Sequence, residues 1–289
     1  MDIRAIAMVV VFAFMWASAF TSARMIVADA PPLTALAIRF LISGVIGIAI
    51  ARALGQSWHL TRGQWRATII FGICQNALYL GFNFEAMQTI EASLAAIIAS
   101  SMPLLVAISG WMIFGEKVSP LGALGLLAGI VGVVIIMGSR INAGVDGYGL
   151  ILCVLGLISL TVATLAVRGT SSGGNVLMIV GIQMLIGSAS LAVVAVLTET
   201  WVVNWNWTMG LAFIYTTLVP GLAATWVWFL LVNRIGAVRA ATFHFLTPPF
   251  GVAVAAWLLG ESIGALDLVG VLIVALGILA VQLSKQTKT

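Results

Sequence analysis

Ten apolar runs follow one another along this chain with almost nothing between them: 5–27, 33–54, 66–84, 93–114, 120–137, 149–167, 176–198, 208–232, 240–259 and 265–283. A helix rises about 1.5 Å per residue, so about 20 apolar residues cross the hydrocarbon layer of a bilayer. No water is present there to satisfy backbone polar groups, so runs of this length are expected to be helices. The connectors are short and turn-like, as in Asp29-Ala30-Pro31-Pro32, Gly115-Glu116-Lys117 and Ser171-Ser172-Gly173-Gly174-Asn175. None could hold a soluble domain. The first run is too long for a signal-peptide core and is not followed by a small-residue cleavage pattern, so it is expected to stay as a span. The expected fold class is an all-α membrane protein with ten transmembrane helices.

Composition agrees. Of the residues, 62% are hydrophobic and 8% charged, against roughly 45–50% and about 25% in soluble domains. That excludes a water-soluble globular protein, a disordered chain and a secreted disulfide scaffold. The net charge of +4 comes from basic residues scattered singly, without basic runs or interleaved aromatics, so nucleic acid is not an expected partner. Cys74 and Cys153 lie inside apolar runs and read as small packing residues.

The basic residues set an orientation. With the N-terminus inside, Arg4, Arg52, Arg62, Arg66, Lys117, Arg168, Arg234, Arg239, Lys285 and Lys288 fall on the inner side, and only Arg24, Arg39 and Arg140 on the outer. Both termini are then cytoplasmic. Trp201, Trp205 and Trp207 share one outer connector and suit an interfacial aromatic belt.

Sliding the chain against itself by 145 positions aligns Ala92, Ala95 and Ala96 with Ala237, Ala240 and Ala241. The same offset aligns Pro103 with Pro248, Gly115-Glu116 with Gly260-Glu261, and Gly125 and Gly132 with Gly270 and Gly277. The chain is therefore expected to be two five-helix halves, 1–140 and 146–285. Five is odd, so the second half enters the membrane inverted. Inverted repeats are the architecture of secondary transporters, which place substrate near the midplane between the halves.

The Ala-Ser-Leu-Ala-Ala stretch from Ala92, Pro103 and Gly115-Glu116-Lys117 resemble the EamA domain of the drug/metabolite transporter superfamily. Pro248, Gly260-Glu261-Ser262, Gly270 and Gly277 resemble a second copy. Met15-Trp16-Ala17-Ser18-Ala19-Phe20 and Ile38-Arg39-Phe40 fit the same family. The resemblance implies a carrier that exports amino acids, metabolites or drugs from a bacterial cell across its inner membrane. The Tyr- and Trp-bearing helices look most like the aromatic amino-acid exporter branch. Export of drugs or other neutral metabolites by the same fold is the alternative. The expected partners are a small-molecule substrate and the lipid bilayer, with the carrier a monomer. No metal, cofactor or catalytic residue is expected, because no HExxH, GxSxG, phosphate loop or paired intramembrane aspartates occur.

Three places break helical regularity: Ser101-Met102-Pro103, Val219-Pro220-Gly221 and Thr247-Pro248-Pro249. Proline removes a donor and displaces the carbonyl four residues earlier, here those of Ala99, Thr216, His244 and Phe245. Pro103, Pro220, Pro248 and Pro249 are read as hinges or kinks, with the freed carbonyls as acceptors for a substrate ammonium. Asn76, Tyr79 and Asn83 recur at i, i+3 and i+7, one helical stripe, with Gln75 one position round. These four, with Trp16, Ser100, Trp226, Trp228 and His244, are the candidate substrate contacts. His244 is either a packed, hydrogen-bonded histidine, or a substrate contact or proton carrier. Arg39 either snorkels or pairs with Asp29 or Glu85, or attracts a substrate carboxylate. No carboxylate lies mid-span, which disfavours lipophilic cations and favours a neutral or zwitterionic cargo.

Overall fold

The computed structural model of the chain describes residues 3–142, 144–167, 172–235 and 243–286. Among these, nine helices are long and apolar enough to cross a membrane, and a tenth, shorter apolar helix covers Phe243–Leu259. In chain order they are α1 (Ile3–Val27), α2 (Pro32–Ala53), α3 (Arg62–Ala86), α4 (Ala92–Phe114), α5 (Pro120–Asn142), α6 (Gly147–Ala166) and α7 (Val176–Thr198). They continue with α8 (Trp207–Leu218, Val219–Ala223 and Ala224–Ile235 end to end), α9 (Phe243–Leu259) and α10 (Ala265–Gln286). The expected start of α9 at 240 lies outside the described residues. So do Ala237, Ala240 and Ala241 of the repeat, and Arg168, Arg239 and Lys288 of the charge count. Helix α3 begins four positions ahead of the expected 66, at Arg62. The Thr61 hydroxyl accepts from Gln64 N–H at 3.3 Å, and the Gln64 side chain accepts from Thr61 N–H at 2.9 Å. This capping box starts the helix through residues too polar for a hydropathy scan to include.

The repeat glycines turn out to touch each other. A Cβ built on Gly125 would lie 2.8 Å from the Gly277 carbonyl oxygen, and one on Gly132 would lie 2.9 Å from that of Gly270. Partner numbers rise on α5 as they fall on α10, so the two helices run antiparallel with backbones in contact. Lipid gives no hydrophobic drive for association, and close approach of small residues supplies the packing instead. Helices α2 and α7 form a second seam of this kind. A Cβ on Gly44 would sit 3.0 Å from the Gly181 carbonyl oxygen, and the Ser188 hydroxyl donates to the Ala37 carbonyl at 2.8 Å. Each of these four helices thus lies antiparallel against the helix that the 145-residue offset assigns to it. Across the halves, α1 packs on α8 and α9, while α6 packs on α3 and α4.

The helix ends carry matched devices. Gly115 and Gly260 close α4 and α9 with φ of +65° and +66°, the left-handed turn that glycine adopts without steric cost. The following Glu261 reaches across the repeat, its carboxylate accepting from Ala92 N–H at 2.7 Å and Ser93 N–H at 3.0 Å. It satisfies two orphan donors of α4 and complements the positive end of the helix dipole. At the second seam, Glu199 accepts from Leu33 N–H at 2.7 Å and Thr34 N–H at 2.8 Å, while Gln56 accepts from Met178 N–H at 3.0 Å. The end of each seam helix caps the start of the other.

Helices α3 and α8 each contain a π-helical segment, Gly72–Tyr79 and Val219–Ala223. Subtracting the 145-residue offset places the second inside the first. The Ala224 N–H bonds the Val219 carbonyl and the Leu80 N–H bonds the Gln75 carbonyl, each a step of five residues. Helix α4 is interrupted at Ser101, and α9 begins with the 3-10 turn Phe243–Leu246. The irregularities in α3, α4 and α8 fall within the middle part of those helices.

Candidate functional site

The interruptions surround a cavity of about 410 Å³ bounded by α1, α3, α4, α6, α7, α8 and α9. It runs from mid-bundle toward Val167, at the end of α6. Its volume falls in the range usual for small-molecule sites, roughly 300–1,000 Å³. One wall is a cluster of rings. Phe12 lies 4.9 Å from Trp228 between centroids, His244 5.4 Å from Trp228 and 5.7 Å from Phe12, and Trp16 6.2 Å from His244. The edge-on and tilted geometries are those that favour aromatic pairing.

The opposite wall is polar and unspent. Gln75, Asn76, the Tyr79 hydroxyl and Gln183 all line the cavity, and none of them, nor the His244 ring, hydrogen-bonds protein among the described residues. Interior polar groups are normally paired. A group of them converging without partners on one cavity is arranged for something that enters it. Among the described residues no aspartate or glutamate lines the cavity, so they offer amides, hydroxyls, an imidazole and rings without fixed negative charge.

The structure brings Trp16, Gln75, Asn76, Tyr79, Ser100, Pro103, Trp228 and His244 together around this cavity. The i, i+3, i+7 stripe needs correction. The π segment adds a residue to the turn, which carries Gln75 onto the cavity face with Asn76 and Tyr79. Asn83 is turned against α6, its side-chain N–H donating to the Tyr79 carbonyl at 2.8 Å while its oxygen accepts from Cys153 Sγ at 3.7 Å. Trp226 is 61% exposed and outside the lining. Two helical positions rotate a side chain to the opposite face, so Trp226 and Trp228 cannot both face inward. The Ser100 hydroxyl is turned back to the Ala96 carbonyl at 2.6 Å and has little left for a ligand. Cys74 and Cys153 are free thiols, as read from the sequence.

Pro103, Pro220 and Pro248 each stand at the second position of a new helical segment, and Pro249 at the third. There its missing donor costs no hydrogen bond. Pro103 and Pro248 are buried equivalents, Pro249 is half-buried, and Pro220 lines a second, smaller cavity of about 60 Å³. Arg39 also lines that cavity and pairs with neither Asp29 nor Glu85. Asp29 is taken by the Asn206 side chain at 2.7 Å, and Glu85 lines a polar groove at the helix ends beside Glu199. Phe12 and Gln183 escaped the sequence reading. Gln183 could have been found as the one amide inside the apolar run of α7, whereas Phe12 looks like any lipid-facing phenylalanine.

The model of the EamA-like transporter family matches residues 3–138 and again 147–283. The chain belongs to that family. This EamA-like transporter is 25% identical to a chloroplastic WAT1-related protein of Arabidopsis thaliana, over 89% of this chain and 64% of that protein. It therefore spans just under two thirds of that relative. An uncharacterised transporter of Synechocystis is also 25% identical, over 95% of this chain and 88% of its own. The aromatic amino acid exporter YddG of Ancylobacter novellus is 31% identical over 118 residues, which is 41% of this chain and 40% of that one. A solved protein structure superposes with a TM-score of 0.68 at 20% identity over 100% of both chains, a likeness of fold. The chain is a multi-pass membrane transporter and not an enzyme.

Proposed function

We propose that this EamA-like transporter exports amino acids, aromatic ones foremost, across the inner membrane of a bacterial cell, with both termini cytoplasmic. The observation that carries this reading is the two-faced cavity. The rings of Phe12, Trp16, Trp228 and His244 form one wall, and the unpartnered Gln75, Asn76, Tyr79 and Gln183 form the other. An aromatic amino acid has the same division, an apolar ring and a zwitterionic head. The ring stacks against the first wall, and amides and hydroxyls meet the two charges of the head. The absence of an acidic side chain from the lining disfavours a permanent organic cation. The partial likeness to the aromatic amino acid exporter YddG points the same way.

Transport proceeds by alternating access between the halves 1–140 and 146–285, the helical segments at the breaks Ser101, Pro220 and Leu246 moving while the glycine seams that join the halves hold. Under the orientation set by the basic residues, the large cavity faces the cytoplasm, and the cargo loads from there. Proteoliposomes holding the full chain should take up labelled phenylalanine or tryptophan well above empty vesicles. Absence of uptake, with vesicles shown tight and the protein shown folded, rejects the aromatic assignment.

A further inference from the structure

The small cavity is the repeat counterpart of the large one. Ala19, Arg39 and Asn83 line it, and the 145-residue offset carries them to Thr164, Met184 and Trp228, all of which line the large cavity. Pro220, also in the small cavity, corresponds in the same way to Gln75. Trp16, Gln75 and Tyr79 border both spaces and form the partition between them. One volume is about 410 Å³ and its counterpart about 60 Å³. When inverted halves exchange conformations, the first closes and the second opens.

Arg39 is the residue this exchange would uncover. It is 6% exposed, its Nε is buried without a partner, and no hydrogen bond or ion pair holds its guanidinium among the described residues. Its guanidinium carbon lies 5.1 Å from the Phe40 ring centroid. The backbone opposite is Gly221 of the α8 π segment, where an added Cβ would lie 3.8 Å from Arg39 Nη2. A guanidinium stays charged at any physiological pH and presents a planar fork that fits a carboxylate. A buried charge of this kind is normally paired, and among the described residues no acidic one lines either cavity. Met184 stands at the counterpart position, so only the small-cavity side carries such a grip.

We propose that Arg39 binds the carboxylate of the transported molecule in the opposite-facing state, when the small cavity opens. The proposal rests on the alternating-access reading and adds to it the side on which the acid group is held.

The test needs no substitution. The full chain in nanodiscs is treated with the arginine reagent phenylglyoxal, and Arg39 and the exposed Arg62 are followed separately by peptide mass spectrometry. Arg39 should react more slowly than Arg62 but to completion. Added 3-phenylpropionate, which has the ring and the carboxylate, should slow Arg39 at least fivefold. Phenethylamine, which has the ring and no carboxylate, should leave its rate unchanged. Lasting inertness of Arg39, or equal protection by the two compounds, would overturn the proposal. Carboxylate-selective protection in a protein that takes up no phenylalanine would reject the aromatic assignment and leave this proposal standing. Uptake with Arg39 unprotected would do the reverse.

Discussion

The two glycine seams and the cavity wall are made from the same kind of helix, yet they hold the molecule in opposite ways. At the seams, backbones meet through Gly125, Gly132, Gly270 and Gly277, and the caps at Glu199 and Gln56 close both ends of the second pair. At the wall, helices are interrupted by π segments and prolines, and side-chain amides stand without partners. A close-packed seam has no room to adjust. A wall with spare hydrogen-bonding capacity and broken helices has several arrangements of similar energy. The difference divides the bundle into parts that stay and parts that move.

Substitutions should sort along that division. Gly277→Val should be the most damaging, because its Cβ would meet Gly129 N at 2.6 Å and the Gly125 carbonyl at 2.7 Å, both backbone atoms. Overpacking costs typically about 1–3 kcal/mol where side chains can yield, and more where they cannot. The expected result is loss of monodisperse protein on size-exclusion chromatography. Trp16→Ala and Tyr79→Ala should instead lower phenylalanine transport about tenfold, which by RT ln 10 is about 1.4 kcal/mol of binding, at unchanged folded yield. Normal transport in both would remove the stacking wall from the account. Glu261→Ala should leave transport chemistry alone and lower the melting temperature, since losing a cap costs about 0.5–2 kcal/mol.

Two pH predictions have smaller expected effects. His244→Ala should alter the pH profile of uptake if the imidazole carries a proton; an unaltered profile would make it a ring of the wall and nothing more. At the helix ends, bonds from the Thr89 hydroxyl at 2.8 Å and Gly149 N–H at 2.8 Å hold the half-buried Asp146 carboxyl below its ordinary value. A carboxyl depressed in the folded state contributes stability above its unfolded value and loses it as pH falls. Acid should therefore lower the melting temperature slightly less in Asp146→Asn than in the native chain.

Much of the scaffold could be read from residues alone. Apolar run length gave the spans, and the 145-residue offset picked out the glycines that meet at the α5–α10 seam. The π segments could not be read, because an inserted residue leaves hydropathy unchanged while rotating everything after it. That rotation is why Gln75 joined Asn76 and Tyr79 at the larger cavity, whereas Asn83 lines only the smaller one. Trp226 and Trp228 were indistinguishable for a related reason: in an apolar helix no polar face marks which ring turns inward. Arg39 was legible as an anomaly, and its lack of a partner became visible only in three dimensions.

The exchange of the two cavities can be followed directly in a chain whose Cys74 and Cys153 are replaced by alanine. Thr164→Cys places a thiol in the large cavity and Ala19→Cys places one at the counterpart position in the small one. Reactivity toward a water-soluble thiol reagent is then measured with and without phenylalanine. Exchange of the two cavities requires phenylalanine to shift the two rates in opposite directions, one slowing as the other quickens. Rates that move together, or Ala19→Cys that never reacts while phenylalanine is being transported, would contradict it.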